Sequence, residues 1–369
     1  MRHLTSIGLD VHARSIQASA FDPLTGEVVQ RSFGYDPDAV AEWALGFEDP
    51  RAVYESGATG FHLCRELNAR GLPTVVGAVS KMQKPAGDRR VKTDRRDADF
   101  LARLLSTSNV VEVWVPDEGT EAASDLSRAL EDASADLARA KQRLSKFLLR
   151  HGYLYREVSP ATGRPRRAWT KAWWRWADSI APAERGAREA LAHYVAAVRD
   201  AERRKADLEE RVREAAREPR WKPLVDALSC LRGVDVVTAF ALAAEAGEFS
   251  RFGRAASFEA WTGLVPSERS SAESRSRGGI TKAGNSHVRR ALVEAAWHYA
   301  RASHGPKALR PGQEVPPEVL AHARKGSGRL ARRCRDLRDA GKRPVVANAA
   351  VARELAGWVW ALGRMVEAG

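Results

Sequence analysis

The chain has 369 residues, with 60 Lys and Arg against 47 Asp and Glu, a formal net charge of +13 and a pI near 10.0. That length allows two or three domains with real cores, and the cationic excess points to a polyanionic partner, most simply nucleic acid. Cys64, Cys230 and Cys334 are too far apart for zinc spacing or a disulfide framework, and no apolar run reaches transmembrane length. A soluble protein of a reducing cytoplasm, with no membrane partner, is therefore expected.

Met1-Arg2-His3 runs straight into a strand-like segment without a signal peptide. Leu4–Val11 reads as a buried strand with Asp10 at its end, and Ser15–Asp22 alternates into a second. Pro23-Leu24-Thr25-Gly26 is a turn, and Glu27–Phe33 a third strand that completes a meander. Asp36-Pro37 opens a helix holding Val40, Trp43 and Ala44. Ala52–Glu55 is a short strand, Thr59–Asn68 a helix ending near Gly71, and Thr74–Val79 a fifth strand.

The next helix carries Lys92-Thr93-Asp94-Arg95-Arg96-Asp97-Ala98, with Thr93 or Asp94 placed to cap it. Asp94 and Asp97 are three apart, so a helix puts both carboxylates on one face. Two carboxylates that close repel, and a divalent cation between them relieves the repulsion. Lys92, Arg95 and Arg96 rim the pair and suit an anionic substrate. The order β-β-β-α-β-α-β-α resembles the ribonuclease H-like fold, in which the first and fourth strands are neighbours. Asp10 and Glu55 would then project side by side, with Asp94 and Asp97 crossing beside them. Four convergent carboxylates suit two hard, oxygen-ligated cations. Ile7-Gly8-Leu9-Asp10 also resembles the first phosphate loop of actin-like ATPases, but Val11 and His12 follow where glycine is needed, which excludes that reading.

From Asp125 to Arg150, Leu126, Leu130, Ala133, Leu137, Ala140, Leu144 and Phe147 form a heptad seam. A second long helix, Ala183–Arg217, carries Leu191, Val195, Val198, Ala201, Leu208 and Val212. Together they make a stalk, and the pattern leaves open whether they pair within one chain or between two. Trp169, Trp173, Trp174 and Trp176 lie between them, interleaved with Arg166, Arg167, Lys171 and Arg175. A small core at the stalk tip is one reading of these tryptophans, and base stacking is the other.

Leu231–Asp235, with Val236–Ala246 and Phe252–Leu264, looks like a helix-hairpin-helix element. Gly263–Ser271 reads as a polar loop, followed by the Gly- and Arg-rich run to His287 and a helix begun by Arg289-Arg290. Ser303–Val345 reads as a Pro- and Gly-interrupted basic tail in which Arg329, Arg332 and Arg333 are candidate phosphate contacts. Val346–Met365 closes the chain as an apolar helix with Trp358 and Trp360.

Taken together, IGLD, YESGATG, KTDRRDA and GLVPS…SS…GGITKAGNSHVRRAL resemble, in this order and at these distances, the DEDD-type insertion-sequence transposases. These are related to the Piv pilin-gene invertase and are also called bridge-RNA-guided recombinases. The resemblance implies an α/β plus α protein: a RuvC-like, RNase H-like metal domain over 1–115, a coiled-coil stalk over 116–220 and a mostly helical transposase domain over 221–369. It implies that Asp10, Glu55, Asp94 and Asp97 bind two divalent cations, Mg²⁺ or Mn²⁺. It also implies that Ser271 is the nucleophile, with Ser270 adjacent, although Ala272 stands where the family often has glycine. Lys282, Arg289 and Arg290 would neutralise phosphate charge. Implied partners are donor and target DNA, a structured guide RNA, and further copies of the chain as dimers pairing into a tetramer at a prokaryotic nucleoid. A hydrolytic junction nuclease and a non-catalytic nucleic-acid-binding protein are the competing functions.

Overall fold

The computed structural model describes residues 5–78, 93–270, 275–301 and 307–369. The chain divides into two compact units, Met1–Asp117 and Glu118–Gly369. The first is mixed α/β and the second mostly helical. No helix among the described residues is long and apolar enough to cross a membrane.

The first unit is built on a six-stranded sheet of order β3-β2-β1-β4-β5-β6. Strands β1 (Ser6–Val11), β2 (Ser15–Phe21) and β3 (Val28–Gly34) form the expected antiparallel meander. Strand β4 (Arg51–Glu55) then pairs parallel to β1, and β5 (Thr74–Gly77) parallel to β4. The parallel pairings need crossovers, supplied by α1 (Pro37–Leu45) and α2 (His62–Ala69). Asp36 caps α1 by accepting from the Asp38 and Ala39 amides. Helix α2 starts three residues later than expected. Gly60, at φ +63°, keeps the chain in a turn whose carbonyl accepts a 2.9 Å bond from the Tyr54 hydroxyl.

One face of the sheet, with Ile7, Leu9, Ile16, Tyr54 and Val76, packs under α1 and α2. The other face meets α3 (Asp94–Ser106), where Val53 packs with Leu101 and Leu105. This approach is close enough to require glycine: a Cβ on Gly8 would lie 1.9 Å from the Ala98 carbonyl oxygen. A strand that the sequence does not announce, β6 (Glu112–Val113), adds an antiparallel edge beside β5. With only two residues it has no period to detect.

The second unit begins with α4 (Glu118–Arg150) and includes α5 (Lys171–Asp178) and α6 (Arg185–Ala215). The long helices α4 and α6 pack against each other within one chain. Leu144 and Phe147 near the end of α4 meet Leu191 and Val198 near the start of α6, so the pair runs antiparallel. Lys141 and Glu202 bridge it at 2.8 Å. Trp173 is buried in the same cluster, with the Trp169, Trp174 and Trp176 rings 4.2, 5.0 and 5.8 Å from its own. The tryptophans are a stalk-tip core.

The remaining core combines α7 (Lys222–Leu228), α8 (Val236–Ala246), α9 (Ala255–Thr262), α10 (Ser286–Ala296), α11 (Pro317–Asp339) and α12 (Pro344–Ala368). Two expectations are corrected here. The polar loop is an antiparallel hairpin of β7 (Pro266–Ser270) and β8 (Arg275–Ile280). Its strands carry almost no apolar residues, so no alternation marks them. The basic tail contains the 23-residue helix α11. Gly326 and Gly328 resemble interruptions in the sequence, but Gly326 is where two helices touch: a Cβ there would lie 2.7 Å from the Trp358 ring. Two of the tail's cations also turn inward. Lys307 donates to the Ser229, Leu231 and Val234 carbonyls, and Arg310 to Asp226 and Ser229.

Candidate active site

Strand parity decides which acids meet. Side chains alternate faces along a strand, so Asp10 follows Gly8, and Glu55 follows Val53, onto the face that α3 covers. The β1–β4 register ends at Leu9 opposite Tyr54, which puts Asp10 and Glu55 one step beyond it on neighbouring strands. Glu55 is exposed there. On α3, Thr93 is the N-cap and accepts from the Arg96 amide, placing Asp94 and Asp97 in the first turn at the positive end of the helix dipole. Gln30 of β3 donates to the Arg95 carbonyl at 3.2 Å and ties that turn to the sheet.

The result is a cluster of Asp10, Asp94 and Asp97 with one further member, His12. The His12 Nε2 lies 3.3 Å from an Asp10 carboxylate oxygen and 3.7 Å from one of Asp94. Ligand atoms of Asp10, His12 and Asp94 all fall within 4.8 Å of one another. Burial pushes the Asp10 carboxyl above its ordinary range; the His12 ring opposes that rise, and Asp94 and Asp97 add to it. A partly buried carboxylate beside two like charges fits a hard divalent cation, which would relieve both the burial and the repulsion. In the sequence His12 serves only to exclude a phosphate loop, and its place in the cluster goes unread. It stands two residues after Asp10, and an alternating strand sends its side chain back toward Asp10's face. That spacing is the signal for it.

Arg95 and Arg96 are exposed on the first turn of α3, whereas Lys92 lies outside the described residues. Ser271 lies outside them too. It directly follows Ser270, which ends β7 and pairs in register with Arg275.

The segment after the hairpin is held by buried polar groups from distant parts of the second unit. Asn285 caps α10 by accepting from the Val288 amide at 2.9 Å, while its amide nitrogen donates to Glu245 at 2.6 Å. The Glu245 side chain is 3% exposed and also receives two bonds from Arg128 of α4, at 2.7 and 2.9 Å. Glu131, one helical turn along α4, engages both His287 and Arg290. Arg289 donates to the Thr262 carbonyl at 2.9 Å. Of the three candidate phosphate neutralisers here, Arg289 and Arg290 are thus engaged by the protein, and Lys282 is exposed. On α11, Arg329 pairs with Glu354, while Arg332 and Arg333 are exposed.

Two family models match the chain. Residues 225–310 match the model described as "Transposase IS116/IS110/IS902 family", and residues 7–152 match the DEDD transposase model of the IS110 group. The chain is 39% identical over 331 residues to a putative transposase, y4qE, of Sinorhizobium fredii, covering 88% of this chain and 78% of that one. It is 29% identical over 348 residues to the transposase for insertion sequence element IS1533 of Leptospira borgpetersenii, covering 91% and 97%.

Proposed function

The chain belongs to the IS116/IS110/IS902 family of transposases, and from that premise we propose that it cuts and rejoins DNA through a metal-assisted serine nucleophile. The observation that carries the reading is the convergence of Asp10 and Asp94 with His12, and of Asp97 on the same helical face. The strand order with a parallel β1–β4 pair supports classing the first unit as RNase H-like and RuvC-like.

In this reading Asp10, Asp94 and Asp97, with Glu55 on the adjacent strand, hold divalent cations, two Mg²⁺ or Mn²⁺. When bound, these supply charge neutralisation at phosphate and activation of the nucleophile. Ser271 attacks phosphorus. Its Oγ gives up its proton and bonds phosphorus as one P–O bond to a sugar breaks, and the departing sugar oxygen takes up a proton in exchange. The phosphoserine ester conserves the bond energy, and attack by a different sugar hydroxyl releases the serine and joins a new strand. In the same reading Lys282 offsets developing phosphate charge. The family resemblance supports the rest of the reading: residues 1–115 bind metal, 116–220 form the stalk, 221–369 carry the serine, and the chain works as a tetramer on donor and target DNA with a structured RNA selecting sequence.

The test is a trapped adduct. Incubated with Mg²⁺ and the element's DNA, the wild-type protein should yield a denaturation-resistant protein–DNA species that Ser271→Ala abolishes. Free nicked DNA with no adduct would instead make the protein a hydrolytic nuclease.

A further inference from the structure

The stalk tip carries a pattern that the proposed chemistry does not use: four tryptophans interleaved with four cations. The structure separates the two sets. On α5, Ala172, Trp173 and Ala177 face inward, while Lys171 and Arg175 are exposed one turn apart on the other side. The flanking ring faces are engaged as well, since Lys141 sits 5.0 Å from the Trp169 centroid and Arg199 sits 5.1 Å from that of Trp174. Base stacking is therefore unsuited to this site.

The outward cations gather around an open groove of about 440 Å³, lined by Ser159, Arg166, Arg167, Thr170, Lys171 and Arg175. The far wall belongs to the 157–166 turn, where Val158 bridges to Pro165 and the Arg166 amide bonds the Glu157 carbonyl at 2.8 Å. Charge in this stretch is lopsided. Residues 156–177 hold six cations (Arg156, Arg164, Arg166, Arg167, Lys171, Arg175) and one acid, Glu157. Glu157 accepts from the Tyr155 hydroxyl at 3.2 Å and, among the described residues, pairs with one cation, Arg166, at 4.0 Å, while the nearby Asp178 is held by Arg199 at 2.7 Å. Arg167, Lys171 and Arg175 have no carboxylate partner among the described residues. Like charges kept this close without internal neutralisation favour an anion from outside. The groove offers guanidinium forks, an ammonium and the Ser159 hydroxyl, with no free aromatic face, which is the chemistry of phosphate rather than base contact.

We propose that this groove binds the sugar–phosphate backbone of the DNA on which the transposase acts, independently of sequence. The proposal rests on the DNA-handling function above, but its test is separate from the chemistry. The full chain carrying Asp10→Asn, which removes cleavage in that mechanism, is titrated with a mixed-sequence DNA duplex across a range of salt. The same background with Arg167→Gln, Lys171→Gln and Arg175→Gln is then compared with it. Removing one phosphate-binding cation lowers the slope of log K against log salt by about 0.9, so the triple variant should flatten it by up to about 2.7. These side chains lie outside the tryptophan core, and circular dichroism verifies the fold; should the triple variant misfold, Lys171→Gln alone should still lower the slope by about 0.9. An unchanged slope in a folded variant overturns the groove assignment while leaving the catalytic reading intact. A weakening seen on duplex RNA but not on DNA overturns the assignment to DNA.

Discussion

The acidic cluster of the first unit and the motif segment of the second are assembled by opposite means. Asp10, Asp94 and Asp97 are positioned by short-range rules: a strand end, a threonine cap and a three-residue helical spacing. The segment from Asn285 to Arg290 is positioned by long-range polar bonds, with Arg128 reaching Glu245 across 117 residues of chain and Glu131 reaching His287 across 156. Local rules place the acids proposed to meet a metal, and long-range polar bonds fix the cap and first turns of α10 against the rest of the second unit. Damage should therefore spread differently in the two regions.

The largest effect on stability is expected from Glu245→Ala. It removes the acceptor shared by Arg128 and Asn285, and breaking such a buried pair costs about 3 kcal/mol, with Arg128's partial exposure keeping the cost at the low end. Denaturant unfolding should show this drop, while divalent-cation binding by the first unit is retained. A Glu245→Ala protein as stable as the wild type would mean that these bonds do not hold the segment.

Gly8→Ala offers the mirror experiment. Its Cβ would push the Ala98 carbonyl, and with it α3, away from the sheet. Overpacking of this kind costs roughly 1–3 kcal/mol, but the sharper effect is on geometry. Asp94 and Asp97 move from Asp10, so divalent-cation affinity measured by calorimetry should fall although no carboxylate has been touched. Unchanged affinity would show that α3 packing does not set the cluster.

The same contrast explains what is legible in the sequence. The meander, both crossover helices, the Thr93 cap and the two stalk helices follow from period, capping and turn residues. The hairpin around Ser270 and Arg275 does not, because polar strands carry no alternation. Helix α11 reads as a tail because Gly326, which admits Trp358, resembles a break. The tryptophan face can be placed on a helix, but the sequence does not say whether it meets a core or a ligand. Glu131, Glu245 and Arg128 are invisible as site-supporting groups, since nothing local distinguishes them from the other charges of a basic chain.

A smaller effect concerns pH in the metal-free protein. Burial raises the Asp10 carboxyl pKa in the folded state. The stability linked to Asp10 is accordingly present below the ordinary carboxyl pKa and is lost as pH rises through the raised value. With a chelator present, Asp10→Asn should match the wild type in acid and become the more stable of the two toward neutral pH. Added Mg²⁺ should close that gap by stabilising the wild type alone. Thermal denaturation across this range, with and without the cation, checks the sign.

Strand cleavage by Asp10→Asn is the most direct measure of whether the converged carboxylates perform the chemistry. With Mg²⁺ and the element's DNA, the wild-type protein should cleave and the variant should fall by at least about 10²–10³-fold. The variant should bind the same DNA as tightly as the wild type, or more tightly, because it carries one negative charge fewer. Cleavage by Asp10→Asn at the wild-type rate would contradict the account.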